Sequence, residues 1–118
     1  MRYMLLIYTD TELMARIGQD PGMMAEYGSF TEGIVGSGEF VAGDALAGVD
    51  TATAVRVRNG KTATTDGPFA ETKEVLVGYY VVDAGDLDRA IEIAAKVPGS
   101  RTGTVEVRPI RDMSGPSH

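Results

Sequence analysis

The chain has 118 residues, the size of one domain with one modest core, so a single fold without linkers is expected. Its formal charge of -6 leaves no basic field to neutralise phosphates, which argues against nucleic-acid and anionic-membrane partners. The absence of cysteine removes disulfides, thiolate nucleophiles and thiolate metal ligands together.

The opening "MRYMLLIYTD" carries an apolar run from Tyr3 to Tyr8 rich in residues that suit a pleated surface. It predicts a strand buried on both faces. The run is too short for a signal core or a membrane span, so a cytoplasmic location is expected. Residues 11–22, "TELMARIGQDPG", contain breakers at Gly18 and Asp20-Pro21-Gly22 and predict a loop with one turn of helix. From Met23 to Val35 the positions Met23, Tyr27, Phe30 and Ile34, with Met24, Thr31 and Val35 beside them, form a helical stripe. Gly36 and Gly38 then supply a stop.

"EFVAGDAL" reads as a short strand. In "TATAVRVRNGKTATTD" Val55 and Val57 alternate with Arg56 and Arg58 before Asn59-Gly60, a pair that tolerates the positive φ angles of a type I′ turn, and a hairpin is predicted. "VLVGYYVVD", Val75 to Asp83, is a second continuously apolar strand. Asp86 precedes Leu87, Ala90, Ile91 and Ala94 and is placed to cap a second helix, which stops at Val97-Pro98-Gly99. "GTVEVRPI", Gly103 to Ile110, alternates Val105 and Val107 with Glu106 and Arg108, as a strand with one wet face does. Residues 1–112 are thus read as one domain and 113–118 as a mobile tail.

This order gives two strand-helix-strand units around a hairpin, as in a ferredoxin-like α+β fold with an antiparallel sheet and both helices on one face. The central strands are apolar on both faces, so the uncovered face would be a large exposed patch for a monomer. A second copy covering it, in a homodimer of the dimeric α/β-barrel type, is the expectation. The alternative is that the hairpin folds over that face.

Little in the sequence points to a familiar catalytic site. The single histidine is His118, which leaves no internal base for a Ser-His-Asp constellation and no histidine metal site, and no metal or cofactor is expected. The glycines of "GIVGSGE" end a helix where a phosphate cradle would begin one. Asp83, Asp86 and Asp88 lack the spacing of a calcium loop and fit helix capping better. The densest run of functional groups is "TTDGPFAETKE". As structure it is a turn with Phe69 tucked inward and Glu71, Lys73 and Glu74 solvated. As a site it offers Asp66 as an acid or base in a cleft, where desolvation would raise its pKa. Phe69, Glu71, Lys73 and Tyr80 are candidate ligand contacts beside it. Tyr27 is a weaker catalytic candidate, since its spacing also suits the core. Tyr79 and Tyr80 face opposite sides of one strand.

"TTDGPFAETKEVLVGYYVVDAGDLDRAIEIAAKVPG" and "GTVEVRPI", with "RYMLLIYTD" and "MAEYGSFTEGIVGSGEFVAGDAL", resemble the DGPF-domain branch of the YCII-related proteins across nearly the whole chain. The resemblance implies a ferredoxin-like fold of the dimeric α/β-barrel type. It also implies an association with extracytoplasmic-function sigma factors in some members, and dehydrochlorinase activity in a distant relative. Other YCII proteins carry a histidine on the first helix and an aspartate after the second, proposed as catalytic. Those positions fall near Tyr27 and Val97 here, so neither residue type is kept, and Asp66 is the residue carried over from the branch motif. The expected function is a small-molecule-binding dimer with a regulatory role linked to an extracytoplasmic-function sigma-factor system. The alternatives are a cofactor-free lyase or hydrolase-type enzyme using Asp66, and an assembly module without a ligand.

Overall fold

The computed structural model describes residues 1–10, 12, 21–68 and 72–112. The helical turn expected over 11–22 falls mostly outside these residues, as does the tail expected over 113–118. In chain order the elements are β1 (Arg2–Asp10), α1 (Pro21–Gly36), β2 (Phe40–Ala45), β3 (Thr53–Arg58), β4 (Lys61–Asp66), β5 (Glu74–Asp83), α2 (Leu87–Lys96) and β6 (Thr104–Pro109). Four strands form one antiparallel sheet in the order β2-β5-β1-β6, and β3 and β4 form a separate two-stranded ribbon. Without the ribbon this is the βαββαβ order and strand arrangement of a ferredoxin-like α+β fold.

Each helix starts and stops for a local reason. Proline cannot donate an amide bond, but at the first helical position that amide has no partner anyway, so Pro21 opens α1 instead of breaking it. At the other end, the amide of Glu39 reaches Ile34 O at 3.0 Å and that of Gly38 reaches Val35 O at 3.0 Å. This is a Schellman closure. The Asp86 carboxylate accepts from the Arg89 amide at 2.8 Å and caps α2 as its position in the sequence suggests.

The core lies between the helices and one face of the sheet. Tyr3, Leu5 and Ile7 of β1 and Val82 of β5 meet Phe30 and Ile34 of α1 and Ala90, Ile93 and Ala94 of α2. Burying each large aliphatic side chain here is worth about 1.5–3 kcal/mol. Two details differ from the periodicity reading. On α2 it is Ile93 that enters the core, while Leu87 and Ile91 are both 49% exposed. On β1 only alternate residues are fully buried: Met4, Leu6 and Tyr8 face the helix-free side and are half-buried. The reason is that an antiparallel sheet with all helices on one side leaves its other face without a covering layer. The register puts Tyr79 and Val81 beside Leu6 and Met4 on that open face.

The ribbon does not fold down over the open face. Its turn is formed by Asn59 and Gly60 at φ 54° and 74°, the left-handed pair of a type I′ hairpin. Every residue of β4 is exposed, and in β3 only Ala54 is half-buried. No helix among the described residues is long and apolar enough to cross a membrane.

The helix layer is tied by a bidentate ion pair. Arg89 at the start of α2 donates through Nη2 and Nε to the two oxygens of Glu39, just past α1, at 2.7 and 2.8 Å. Ser37 Oγ adds a third donor at 2.7 Å. The Arg89 hydrogen bonds, then that of Ser37, hold the Glu39 carboxyl down from 4.5 to about 2. Since the folded value lies below the unfolded one, the pair contributes fully above about pH 4.5 and is lost as pH falls towards 2. Glu39→Gln is therefore expected to flatten the stability profile between those pH values in urea denaturation. Asp86→Ala should instead cost about 1 kcal/mol through the lost helix cap, read in the same urea denaturation at neutral pH.

Candidate functional site

Helix α1 crosses the outer half of the sheet, over β2 and β5. Beneath it Tyr27 and Thr31, one turn apart on the same helical face, look onto Phe40, Gly43, Val77, Gly78 and Tyr80. These residues, with Ile7, Asp44, Ala45 and Tyr79, line a cleft of about 290 Å³. Two irregularities shape its floor. Between Ile7 and Tyr8 the pairing with β5 slips by one, leaving Val77 as an extra residue, and between Phe40 and Ala42 β2 bulges at Val41.

Tyr80 organises the floor. It pairs with Gly43, and a Cβ at that glycine would come within 2.6 Å of the Tyr80 ring. Glycine thus lets the ring lie across the β2 backbone. Its edge packs on Phe30 with centroids 5.1 Å apart and planes at 71°, and its hydroxyl sits 2.9 Å from Thr31 Oγ1. Thr31 spends its one proton on Tyr27 O at 2.9 Å. Tyr80 must therefore donate to Thr31, giving a one-way chain from phenol to hydroxyl to helix carbonyl.

Tyr27 is held differently. Its hydroxyl oxygen accepts from the Gly99 amide at 3.1 Å, in the short turn after α2. The phenol's own proton has no acceptor among the described residues. Burial raises the Tyr27 pKa, and the nearby Tyr80 adds to that rise, while the Gly99 amide and Arg101 oppose it. Tyr27 is accordingly protonated at neutral pH, a hydrogen-bond donor and not a base.

The other sequence candidates lie apart from this cleft. Asp66 ends β4, opposite Thr53 in the ribbon, and is exposed. Lys73 is exposed too, with Nζ 3.9 Å from Asp10 Oδ2 at the end of β1. Phe69 and Glu71 lie outside the described residues. Of the candidates, then, Tyr27 and Tyr80 are brought together, and Asp66 and Lys73 do not line the cleft with them. Thr31, Phe40 and Gly43 were missed as site residues. The available signal was Gly43 itself, since a glycine inside a strand marks close approach of something to the backbone.

A second concavity, about 560 Å³, runs between the helices on the outer side of the molecule. Arg89, Lys96 and Arg101 line it, with Phe30, Ile34 and Ile93 at its base. Ion pairs stand near both its ends, Arg89 with Glu39 and Arg101 with Glu26. No group of three or more acidic, histidine or cysteine side chains suited to a metal ion occurs among the described residues.

The YCII-related domain profile matches residues 1–114. The chain belongs to the YCII-related family. An uncharacterized protein of Rhizobium meliloti (strain 1021) is similar to it, with 32% identity over 114 residues that cover 93% of this chain and 92% of the relative. In this YCII-related protein a phenol on the first helix is therefore part of a formed cleft, whose geometry depends on Gly43. Gly43→Ala is expected to displace the Tyr80 ring and cost about 1–3 kcal/mol, whereas Tyr80→Phe should cost only about 1 kcal/mol. Urea denaturation with aromatic NMR shifts of Phe30 and Tyr80 distinguishes the two, because only the alanine variant should move Phe30.

Proposed function

We propose that this YCII-related protein is a small-molecule-binding homodimer whose ligand enters the cleft beneath Tyr27 and Thr31. One observation carries the reading: a largely apolar cleft beside β5 contains an anchored phenol whose proton is uncommitted. Apolar walls with a few fixed polar groups are what a small-ligand site requires. A binding role is favoured over proton-transfer catalysis by the same residue, because a phenol with a raised pKa is poorly suited to take a proton at neutral pH. The reading in which Asp66 is an acid or base needs a desolvating pocket around that carboxylate, and the exposed ribbon end supplies none from its own strands.

Dimerisation rests on the open face of the sheet. Met4, Leu6, Tyr8, Tyr79 and Val81 form a continuous surface there, half-buried and mostly apolar. A second copy packed sheet to sheet would remove it from water, and a two-fold axis makes such a face self-complementary. The hydrogen bond from Tyr79 to Asp44 Oδ2, at 2.7 Å, and that from Tyr8 to Glu106 Oε1, at 3.3 Å, already engage the polar ends of this face.

Sedimentation is expected to return a dimer for the unmodified protein and a folded monomer for Leu6→Lys. A folded monomer of the unmodified protein would refute the assembly. For the cleft, a thermal-shift screen of small cyclic compounds should yield binders whose stabilisation is reduced by Tyr27→Phe. Saturation at about a hundredfold excess over Kd corresponds to about 2.7 kcal/mol of added stability. Binders whose effect is unchanged by Tyr27→Phe and by Gly43→Ala would place the ligand elsewhere.

A further inference from the structure

The cleft and the groove described above differ in charge. All the cationic side chains among their linings, Arg89, Lys96 and Arg101, lie in the groove between the helices. The cleft beneath α1 has no lysine, arginine or histidine among the described residues that line it, and the carboxylate of Asp44 at its edge accepts from Tyr79 on the opposite face of the sheet. Its walls are the rings of Tyr27, Phe40 and Tyr80 with the aliphatic side chains of Ile7 and Val77, while the Tyr79 ring lies on the opposite face of the sheet. A ligand carboxylate entering it would leave water without meeting a cation, inside a protein of net charge -6.

The polar atoms narrow the class further. Tyr27 offers a proton, its oxygen being already engaged by the Gly99 amide. Tyr80 gives its proton to Thr31 and so presents only oxygen lone pairs. One donor and one acceptor, both neutral and set among aromatic faces, suit an uncharged ring that carries an acceptor such as a carbonyl. We propose that the ligand of the Tyr27–Tyr80 cleft is an uncharged planar ring compound whose hydrogen-bond acceptor is recognised by the Tyr27 hydroxyl, and that carboxylate analogues are rejected. The inference rests on the cleft being the binding site and adds the chemical class that the site selects.

Benzamide and benzoate have nearly the same shape and differ in charge at neutral pH, which makes them a direct probe. Each is titrated into the isotopically labelled full chain at pH 7, and amide shifts are followed at Gly43, Gly78 and Tyr80 for the cleft and at Lys96 and Arg101 for the groove. Benzamide is expected to perturb the cleft amides with an affinity at least tenfold above that of benzoate there, and Tyr27→Phe should weaken it by about three- to tenfold. Any benzoate response is expected at Lys96 and Arg101. Equal or tighter binding of benzoate in the cleft would overturn the charge selection while leaving the cleft a binding site. No response of the cleft to either compound would overturn both this inference and the binding reading beneath it. Unchanged benzamide affinity in Tyr27→Phe would overturn Tyr27 as the donor. Should that variant fail to fold, the comparison of the two probes on the unmodified chain decides the charge question alone.

Discussion

The contact on which the cleft depends is the Tyr80 ring lying across Gly43. A side chain at position 43 would occupy the space of the ring, so this pairing requires one partner without a Cβ. Because the ring lies there, its edge can meet Phe30 in the core and its hydroxyl can reach Thr31 on α1. The helix is thereby tied to the edge half of the sheet by a polar contact, while Phe30 and Ile34 of the same helix are held by the buried core. A gap remains between these two attachments and the bulged stretch at Val77 and Gly78. The cleft is that gap, a consequence of where helix and sheet are joined and where they are not.

A sheet with helices on one side must dispose of its other side, and the same strands that floor the cleft present Tyr79 and Val81 to that open face. Strand β5 is thus common to both surfaces. A partner packed against Tyr79 and Val81 would fix the backbone of β5, and with it the positions of Tyr80 and Gly78 on the opposite side. The open face and the cleft are in this way separated by the thickness of one strand. The ribbon takes no part in covering that face within one chain, since its strands are exposed on both sides.

Most of the fold was legible because each element carries a strong local signal. Alternation with Asn59-Gly60 defined the hairpin, Asp86 defined the start of α2, and long apolar runs defined β1 and β5. The errors came where two physical rules compete. Pro21 looked like a break because proline disrupts helix interiors, yet it begins α1 because its missing amide costs nothing there. Ile91 and Ile93 are chemically equivalent, and only the rotation of α2 on the sheet decides which one is buried. The site was less legible than the fold. The run of charges around Asp66 supplied the leading candidate, whereas the cleft is made from Tyr27 and Tyr80, both candidates, together with Thr31 of the helical stripe and Gly43 of the short strand, which only the sheet pairing brings together. Composition identifies groups able to do chemistry, but enclosure is a tertiary property and leaves almost no mark in local sequence.

That difference bears on what the family resemblance can carry. Near the place where other YCII-related proteins were expected to have a histidine, this chain has Tyr27. An imidazole titrates near neutral pH and exchanges protons readily, whereas a buried phenol keeps its proton. With Val97 buried in the core near the expected aspartate position, no carboxylate stands there to orient a base or to stabilise a charged one. Tyr27 can still donate one hydrogen bond from α1 into the cleft. The proposed binding role draws on a directed donor and apolar walls and requires no proton exchange at this position. The Gly99 amide strengthens Tyr27 as a donor, because a hydrogen bond accepted by the phenol oxygen polarises its O–H.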